Sequence, residues 1–159
     1  MAKTFNDLID EALAKQGGVK EIFPWDFEDY QAKNPDALFL DIREQDEFDG
    51  AHIKDTYHVP RGILEQSCEW DYAETIPDLV RARDQPILVI CRSGNRSVLA
   101  ALTMSFLGYK DVTSLKTGIK GWNDSDLPLV DKSGFAADPD WADEFFNPPI
   151  REDQLSANQ

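Results

Sequence analysis

The sequence predicts a single α/β domain built on a parallel sheet, and three observations support this prediction. Short apolar runs alternate with stretches of helical periodicity, which is the pattern of successive strand–helix–strand units. The apolar runs are continuous rather than alternating, as in strands that are covered on both faces. The chain has 159 residues, of which 42% are hydrophobic, so one domain can bury a substantial core.

The first part of the chain contains a predicted helix, a strand and a short extended segment. The opening residues, MAKTFNDLIDEALAKQ, are amphipathic, and Thr4 is a suitable N-cap for a helix there. A turn at Asn34-Pro35-Asp36 precedes residues 37–42, ALFLDI, which we interpret as a buried strand. His58-Val59-Pro60 is a short extended segment.

A predicted helix and the clearest predicted strand follow. Residues 76–84 have a helical pattern with Pro77 near its start, where proline costs no backbone hydrogen bond. Gln85-Pro86 ends that helix, and residues 87–90, ILVI, then form the strand.

The clearest predicted helix comes directly after the Cys91 segment. Residues 97–107 place four apolar side chains on one face and end at Gly108; the four are Val98, Leu99, Leu102 and Phe106. Residues 111–115 form a further strand, and a last helix begins within residues 118–122, before Pro128.

The composition changes near the C-terminus. Residues 130–159 are acidic, contain several prolines and carry four prominent aromatic side chains, Phe135, Trp141, Phe145 and Phe146. One interpretation is an extension whose aromatic residues pack back on the domain while the residues after Pro149 are disordered. The alternative is a docking segment for a partner protein.

Charge and cysteine content limit the location and the partners of the chain. The formal net charge is −14, which disfavours binding to nucleic acid or to an anionic membrane surface. The N-terminus has no secretory pattern, and no apolar run reaches the ~20 residues that cross a membrane. We therefore expect a cytoplasmic protein. The two cysteines, Cys68 and Cys91, do not form a disulfide scaffold or a zinc motif, although a single Cys68–Cys91 disulfide remains open.

The segment CRSGNRS, which begins at Cys91, is the strongest chemical signal in the chain. Ser, Gly and Asn favour a tight turn, and a turn that opens a helix directs several backbone N–H groups into one concavity. These groups, the helix dipole and the guanidinium groups of Arg92 and Arg96 all stabilise an anion. They therefore favour the thiolate of Cys91, which is the nucleophilic form.

CRSGNRS resembles the active-site loop of the rhodanese-like (sulfurtransferase) family, in which a persulfide-forming cysteine begins a six-residue loop. Other segments of residues 19–129 are similar to the family as well: Asp41-Ile42-Arg43-Glu44, Glu47-Phe48, His52-Ile53, His58-Val59-Pro60, and Leu115 with Gly118 and Trp122. The resemblance implies a three-layer domain with a central parallel sheet of about five strands and helices on both faces. The N-terminal helix, residues 1–18, and the extension, residues 130–159, lie outside it.

The resemblance also assigns roles to site residues. Cys91 is the expected catalytic residue, and the rest of the loop, Arg92, Ser93, Gly94, Asn95 and Arg96, is expected to bind the substrate. Arg92 and Arg96 are candidates to hold the anionic end of a sulfur donor, or to form salt bridges with Asp41 or Glu44. Asp41 and Arg43 are expected to brace the loop, and Ser97 to support it, most simply as a helix cap.

The sequence departs from the family pattern at three places. Ala51 replaces a glycine that often precedes the histidine, Asp55-Thr56 replaces Gly-Ala, and Thr117 replaces the first glycine of a Gly-Gly pair. None of these positions lies in the Cys91 loop.

The implied reaction is sulfur transfer through a persulfide on Cys91. The donor would be thiosulfate, a polysulfide or glutathione persulfide, and the acceptor a thiol, cyanide or a sulfur-carrier protein. No metal or organic cofactor is required. Two alternatives remain. A cysteine phosphatase or arsenate reductase has five residues between Cys and Arg, whereas four separate Cys91 from Arg96. A non-catalytic binding module with the same fold would not need the cysteine.

Overall fold

The structure, a computed structural model, describes residues 1–15 and 17–158. Gln16 and Gln159, which belong to the predicted N-terminal helix and to the C-terminal extension, lie outside the described residues. Within the described chain, no helix has both the length and the apolar character that a membrane crossing requires.

Five strands form one parallel sheet. They are β1 (Lys20–Ile22), β2 (Leu38–Asp41), β3 (Tyr57–His58), β4 (Pro86–Ile90) and β5 (Asp111–Leu115). Their order across the sheet is β1-β5-β4-β2-β3, and every neighbouring pair is parallel. The expectation of a central parallel sheet of about five strands is therefore confirmed.

Helices and short 3-10 turns connect the strands and extend the chain at both ends. The helices are α1 (Phe5–Ala14), α2 (Phe27–Lys33), α3 (Gln45–Gly50), α4 (Leu64–Ser67), α5 (Pro77–Arg81), α6 (Arg96–Phe106), α7 (Gly118–Asp124) and α8 (Pro139–Phe146). The 3-10 turns are Pro24–Asp26, Arg61–Ile63, Glu152–Gln154 and Ser156–Asn158.

The central strand β4 packs against helices on both faces of the sheet, which gives three layers: helices, sheet and helices. Its side chains alternate between the two faces of the sheet, and both faces are covered, which is why PILVI reads as a continuous apolar run. Ile87 and Val89 join a cluster with residues of α4, α5 and α6. Leu88 and Ile90 join a second cluster with residues of α2, α7 and α8.

The N-terminal helix α1 packs on α6. Thr4 caps α1 as predicted, since its hydroxyl accepts from the Asp7 N–H and the Asp7 carboxylate accepts from the Thr4 N–H. Ile9 and Ala12 then cluster with Val98 of α6.

The prediction that Phe106 lies on the buried face of α6 is wrong, because Phe106 is 69% exposed. Ala100, Ala101 and Met104 face the sheet instead.

The C-terminal extension contains a helix that sequence periodicity did not reveal. The helix predicted to begin within residues 118–122 forms as α7, but it is not the last helix, because α8 follows it. Asp138 caps α8 with its carboxylate, and Phe146 enters the core at 2% exposure. Phe145 also packs against the domain, whereas Phe135 and Trp141 are largely exposed.

Candidate active site

Three strand ends meet around Cys91. Cys91 directly follows β4, whose two neighbours in the sheet are β2 and β5. Asp41, the last residue of β2, pairs in register with Ile90, the last residue of β4. Because ligands of open parallel sheets bind beyond the carboxyl ends of the strands, this edge is the expected position of a site.

The Cys91 thiol lies at the bottom of the loop that begins with it. Its Sγ accepts hydrogen bonds from the backbone N–H of Gly94 at 3.2 Å and of Ser97 at 3.3 Å. The Ser97 hydroxyl lies 3.3 Å from the same sulfur. Cys91 as a whole is only 1% exposed. The loop thus surrounds the sulfur with donors that favour negative charge on it.

The first turn of α7 forms hydrogen bonds with the backbone of this loop. The N–H of Ile119 donates to the Cys91 carbonyl at 2.9 Å, and the N–H of Lys120 donates to the Arg92 carbonyl at 3.1 Å. Gly118 makes the close approach possible, because a Cβ there would lie 2.4 Å from the Arg92 oxygen. Gly94 is equally constrained, with φ of +87° and backbone atoms of Thr117 within 3 Å of the position of a Cβ.

At two of the departures from the family pattern, a residue other than glycine adopts a left-handed backbone conformation. Asp55 has φ of +62° and Thr117 has φ of +67°, a region that glycine occupies without steric cost. For a β-branched residue such as Thr117 this conformation is strained. Its hydroxyl is in addition buried without a hydrogen-bond partner. Thr117 thus stores strain directly beside the Cys91 loop.

The two loop arginines have different surroundings. Arg96 forms a two-pronged ion pair with Glu47 of α3, with both N–O distances at 2.9 Å. Burial raises the pKa of Glu47, but hydrogen bonds from Arg96 and the backbone N–H of Glu44 outweigh it and hold this pKa below its usual value. The Arg92 side chain makes no hydrogen bond, ion pair or ring contact with any residue that the structure describes. Its guanidinium group is therefore available to a ligand.

The anticipated salt bridges of the loop arginines with Asp41 or Glu44 do not form. Asp41 instead pairs with Arg43 at 2.8 Å, and both side chains are fully buried. The Arg43 guanidinium also donates to the backbone carbonyls of Glu47 and Ala51. These bonds tie the middle and the C-terminal end of α3 to the buried Asp41–Arg43 pair, and α3 carries the Glu47 partner of Arg96. Asp41 and Arg43 thus connect to the loop through α3.

The hydroxyl of Ser97 does not cap α6, so the capping role predicted for it is wrong. Asn95 occupies the N-cap position and makes no side-chain cap. Ser97 lies inside the first turn, and its hydroxyl points into the protein, 2.6 Å from the Ser114 hydroxyl of β5. It therefore joins the sulfur of Cys91 to the end of a neighbouring strand.

A cavity of about 90 Å³ opens above Cys91. Its lining residues are Cys91, Arg92, Ser93, Asn95 and Arg96 of the loop, together with Phe5 of α1. A second cavity, of about 220 Å³, shares Arg92 and is lined by Arg43, Asp46, Glu47, Phe145, Phe146 and Pro148. Among the described residues, no group of three or more His, Cys, Asp or Glu side chains could hold a metal ion.

His52 and Cys68 do not line the cavity above Cys91. His52 stacks on Phe48, and its Nδ1 lies 2.8 Å from the Phe48 carbonyl oxygen. Cys68 is completely buried. Burial raises the pKa of the Cys68 thiol, despite a hydrogen bond with Tyr109 and the nearby charge of Arg83 that lower it. A buried thiol of this kind is a poor nucleophile.

Three residues near the site were not identified as site residues from the sequence. Glu47 was recognised only as part of a family motif, and nothing in that motif indicated that it binds Arg96. Ser114 is a polar residue near the end of a buried strand, which is a weak signal for a site. Phe5 lies in a different part of the chain, and no sequence pattern links it to Cys91.

Comparisons with known proteins identify the family of the domain. The family model of the rhodanese-like domain matches residues 26–125. The chain is 35% identical over 83 residues to YrkF of Bacillus subtilis, described as a candidate sulfur carrier protein; the match covers 52% of this chain and 40% of that protein. It is 33% identical over 93 residues to the thiosulfate sulfurtransferase GlpE of Vibrio cholerae, covering 58% of this chain and 78% of that protein.

Solved structures show the same fold. A protein of unknown function from Rhodopseudomonas palustris, described as a possible tyrosine phosphatase, superposes with a TM-score of 0.69 at 25% identity, covering 81% of this chain and 96% of that chain. The polysulfide-sulfur transferase homodimer of Wolinella succinogenes superposes with a TM-score of 0.58 at 26% identity, covering 81% and 88%. With the family match extending over more than half of its length, this chain belongs to the rhodanese-like domain family.

Proposed function

We propose that the protein is a sulfurtransferase that carries a sulfane sulfur as a persulfide on Cys91. The observation that carries this proposal is the position of the Cys91 sulfur, held by the N–H groups of Gly94 and Ser97 beneath a small cavity. The names of the relatives, a thiosulfate sulfurtransferase and a candidate sulfur carrier, support the same reaction class.

In the first step the Cys91 thiolate attacks the outer sulfur of a donor. With thiosulfate, the new Sγ–S bond forms while the S–S bond of the donor breaks, and its electron pair leaves with sulfite. Cys91 then holds a persulfide anion. The loop N–H groups stabilise the charge on its terminal sulfur, in the manner of a preorganised oxyanion hole. The unpaired guanidinium of Arg92 holds the sulfonate end of the donor.

In the second step an acceptor removes the sulfur. A thiolate or cyanide attacks the terminal sulfur, and the electron pair of the breaking S–S bond returns to Sγ of Cys91. The products are a new persulfide or thiocyanate and the free enzyme. The two half-reactions predict ping-pong kinetics.

Intact-mass measurement tests the proposal directly. Incubation with thiosulfate, polysulfide or glutathione persulfide should add about 32 Da to the protein, and cyanide should remove it with release of thiocyanate. Cys91→Ser should abolish the adduct, whereas Cys68→Ala should retain it, because Cys68 does not line the cavity and burial raises the pKa of its thiol.

A second arm of the experiment addresses phosphatase chemistry. Only four residues separate Cys91 from Arg96, and the Arg96 guanidinium binds Glu47 through both of its NH2 groups. These groups are therefore not free to bind two oxygens of a phosphate. We expect no turnover of an aryl phosphate. Absence of a sulfur adduct with all three donors, together with aryl phosphate hydrolysis that Cys91→Ser abolishes, would contradict the proposed function.

A further inference from the structure

One wall of the Cys91 cavity comes from outside the family domain. Five of its six lining residues belong to the loop from Cys91 to Arg96, and the sixth is Phe5. Phe5 is the first residue of α1, and the family match begins only at residue 26. The side chain is 49% exposed. The half-exposed ring adds little to the core, but it forms one wall of the space above Cys91.

The ring is held in a defined position relative to the sulfur. The Thr4–Asp7 capping box fixes the first turn of α1, and Ile9 and Ala12 anchor this helix on Val98 of α6. The residue before Val98 is Ser97, whose N–H binds the Cys91 sulfur. Phe5 and Cys91 are therefore connected through a short path of packed, hydrogen-bonded structure. An element held in this way can exclude a ligand sterically.

We propose that Phe5 is a specificity-determining residue that restricts the sulfur donor to compact anions. This inference rests on the proposed function of Cys91. A space of about 90 Å³ is small beside the roughly 300–1,000 Å³ of pockets that enclose larger organic ligands. It suits donors with a compact leaving group, such as thiosulfate or a short inorganic polysulfide. In glutathione persulfide the leaving group is a tripeptide thiolate, which meets the Phe5 ring when the donor enters through this cavity.

The cavity of about 220 Å³ beside α8 offers a bulky donor a different approach. It shares Arg92 with the Cys91 cavity and is not lined by Phe5. A donor that entered from this side would be unaffected by the ring. The two routes therefore predict different results for variants of Phe5.

The test compares two donors across matched variants of α1. The quantity measured is the ratio of kcat/KM for glutathione persulfide to kcat/KM for the compact donor that loads the wild-type protein. Phe5→Ala should raise this ratio about tenfold, through a larger kcat/KM for glutathione persulfide. Phe5→Trp should lower it.

Leu8→Ala is the control. Leu8 lies in the same helix, is 42% exposed, and lines a different cavity with Leu99 and Leu102. It should leave the ratio unchanged, so a general weakening of α1 is distinguished from an effect at the cavity. An unchanged ratio in Phe5→Ala, or an equal rise in Leu8→Ala, would overturn the inference. Failure of every donor to load wild-type Cys91 would instead overturn the proposed function.

Discussion

At the scale of single residues, the loop contains two arginines whose roles are set by their neighbours. Arg96 is committed to Glu47 through both prongs of its guanidinium, and this hydrogen bonding and charge raise its pKa further above its usual value. Arg92 has no such partner among the described residues and borders the cavity over Cys91. Identical side chains therefore serve different purposes, one as a brace for the loop and the other as a free cation at the cavity.

This difference gives a prediction for the two arginines. Arg92→Gln should lower kcat/KM for thiosulfate about 10- to 100-fold, mainly through KM, because a charge-assisted hydrogen bond to the donor is lost. Its free energy of unfolding should change by less than about 0.5 kcal/mol. Arg96→Gln should instead lower the free energy of unfolding by about 1–3 kcal/mol, since Glu47 then loses its partner. Steady-state kinetics measure kcat/KM, and urea unfolding measures the free energy of unfolding. If Arg96→Gln were as stable as the wild type and lowered kcat/KM as much as Arg92→Gln does, the two arginines would not have different roles.

Sequence patterns identified the residue types at the site better than their contacts. The loop from Cys91 to Arg96 stood out because its composition favours a turn and binds anions. The alternative to donor binding for the two loop arginines was a salt bridge with Asp41 or Glu44. Arg96 pairs with Glu47 instead, because pairing depends on how α3 lies against the loop. Ser97 is adjacent to a helix start in the sequence, but only the sheet brings its hydroxyl to Ser114.

At the scale of elements, long apolar segments were predictable and short polar ones were not. Strand β4 and helix α6 carry clear patterns, and both form close to the predicted positions. The edge strand β1 has only three residues, Lys-Glu-Ile, and it exists because its backbone pairs with β5. Helix α8 begins at a proline and has only eight residues. Because an isolated helix of this length is marginal, its formation depends on the burial of Phe146 against the domain.

The turn between β5 and α7 provides the prediction at this scale. Thr117 holds a left-handed conformation with a buried, unpartnered hydroxyl. Such strain costs roughly 1–3 kcal/mol, and glycine removes it while adding a smaller entropic cost in the unfolded chain. Thr117→Gly should therefore raise the free energy of unfolding by about 1 kcal/mol.

Urea unfolding of Thr117→Gly and Gly118→Ala tests this account of the turn. Gly118 also has positive φ, and a Cβ there would collide with the Arg92 carbonyl. Gly118→Ala should consequently destabilise the protein by about 1–3 kcal/mol. A loss of stability in Thr117→Gly would mean that the packing of the threonine side chain outweighs its backbone strain.

At the scale of the whole molecule, the parallel α/β class followed from the sequence but the arrangement of the strands did not. Alternating strands and helices indicate a parallel sheet, because parallel neighbours need crossover helices. The order β1-β5-β4-β2-β3 depends on which strand each crossover places beside the next. This order brings Asp41, Cys91 and Thr117 to one edge, although they are widely separated in the chain.

The net charge of the molecule opposes the local charge of its proposed site. A protein of this length has a radius of about 20 Å. A dianion at its surface meets a repulsion of roughly 6 kcal/mol from a net charge of −14 when no salt is present. A single guanidinium about 4 Å away contributes only about 2 kcal/mol of attraction at the dielectric constant of water. At low ionic strength the long-range repulsion is therefore the larger effect.

Salt should reverse this balance, since it screens distant charges more than close ones. The Debye length falls from about 30 Å at 0.01 M to about 8 Å at 0.15 M, which suppresses the repulsion but leaves Arg92 effective at contact. Over this range kcat/KM for thiosulfate should rise about three- to tenfold, measured in sodium chloride at constant pH. Sucrose at equal osmolarity, which does not screen charge, should change kcat/KM for thiosulfate by less than about twofold. A fall in kcat/KM for thiosulfate with added salt would show that local cations outweigh the net charge even at long range, because screening would then remove attraction instead of repulsion.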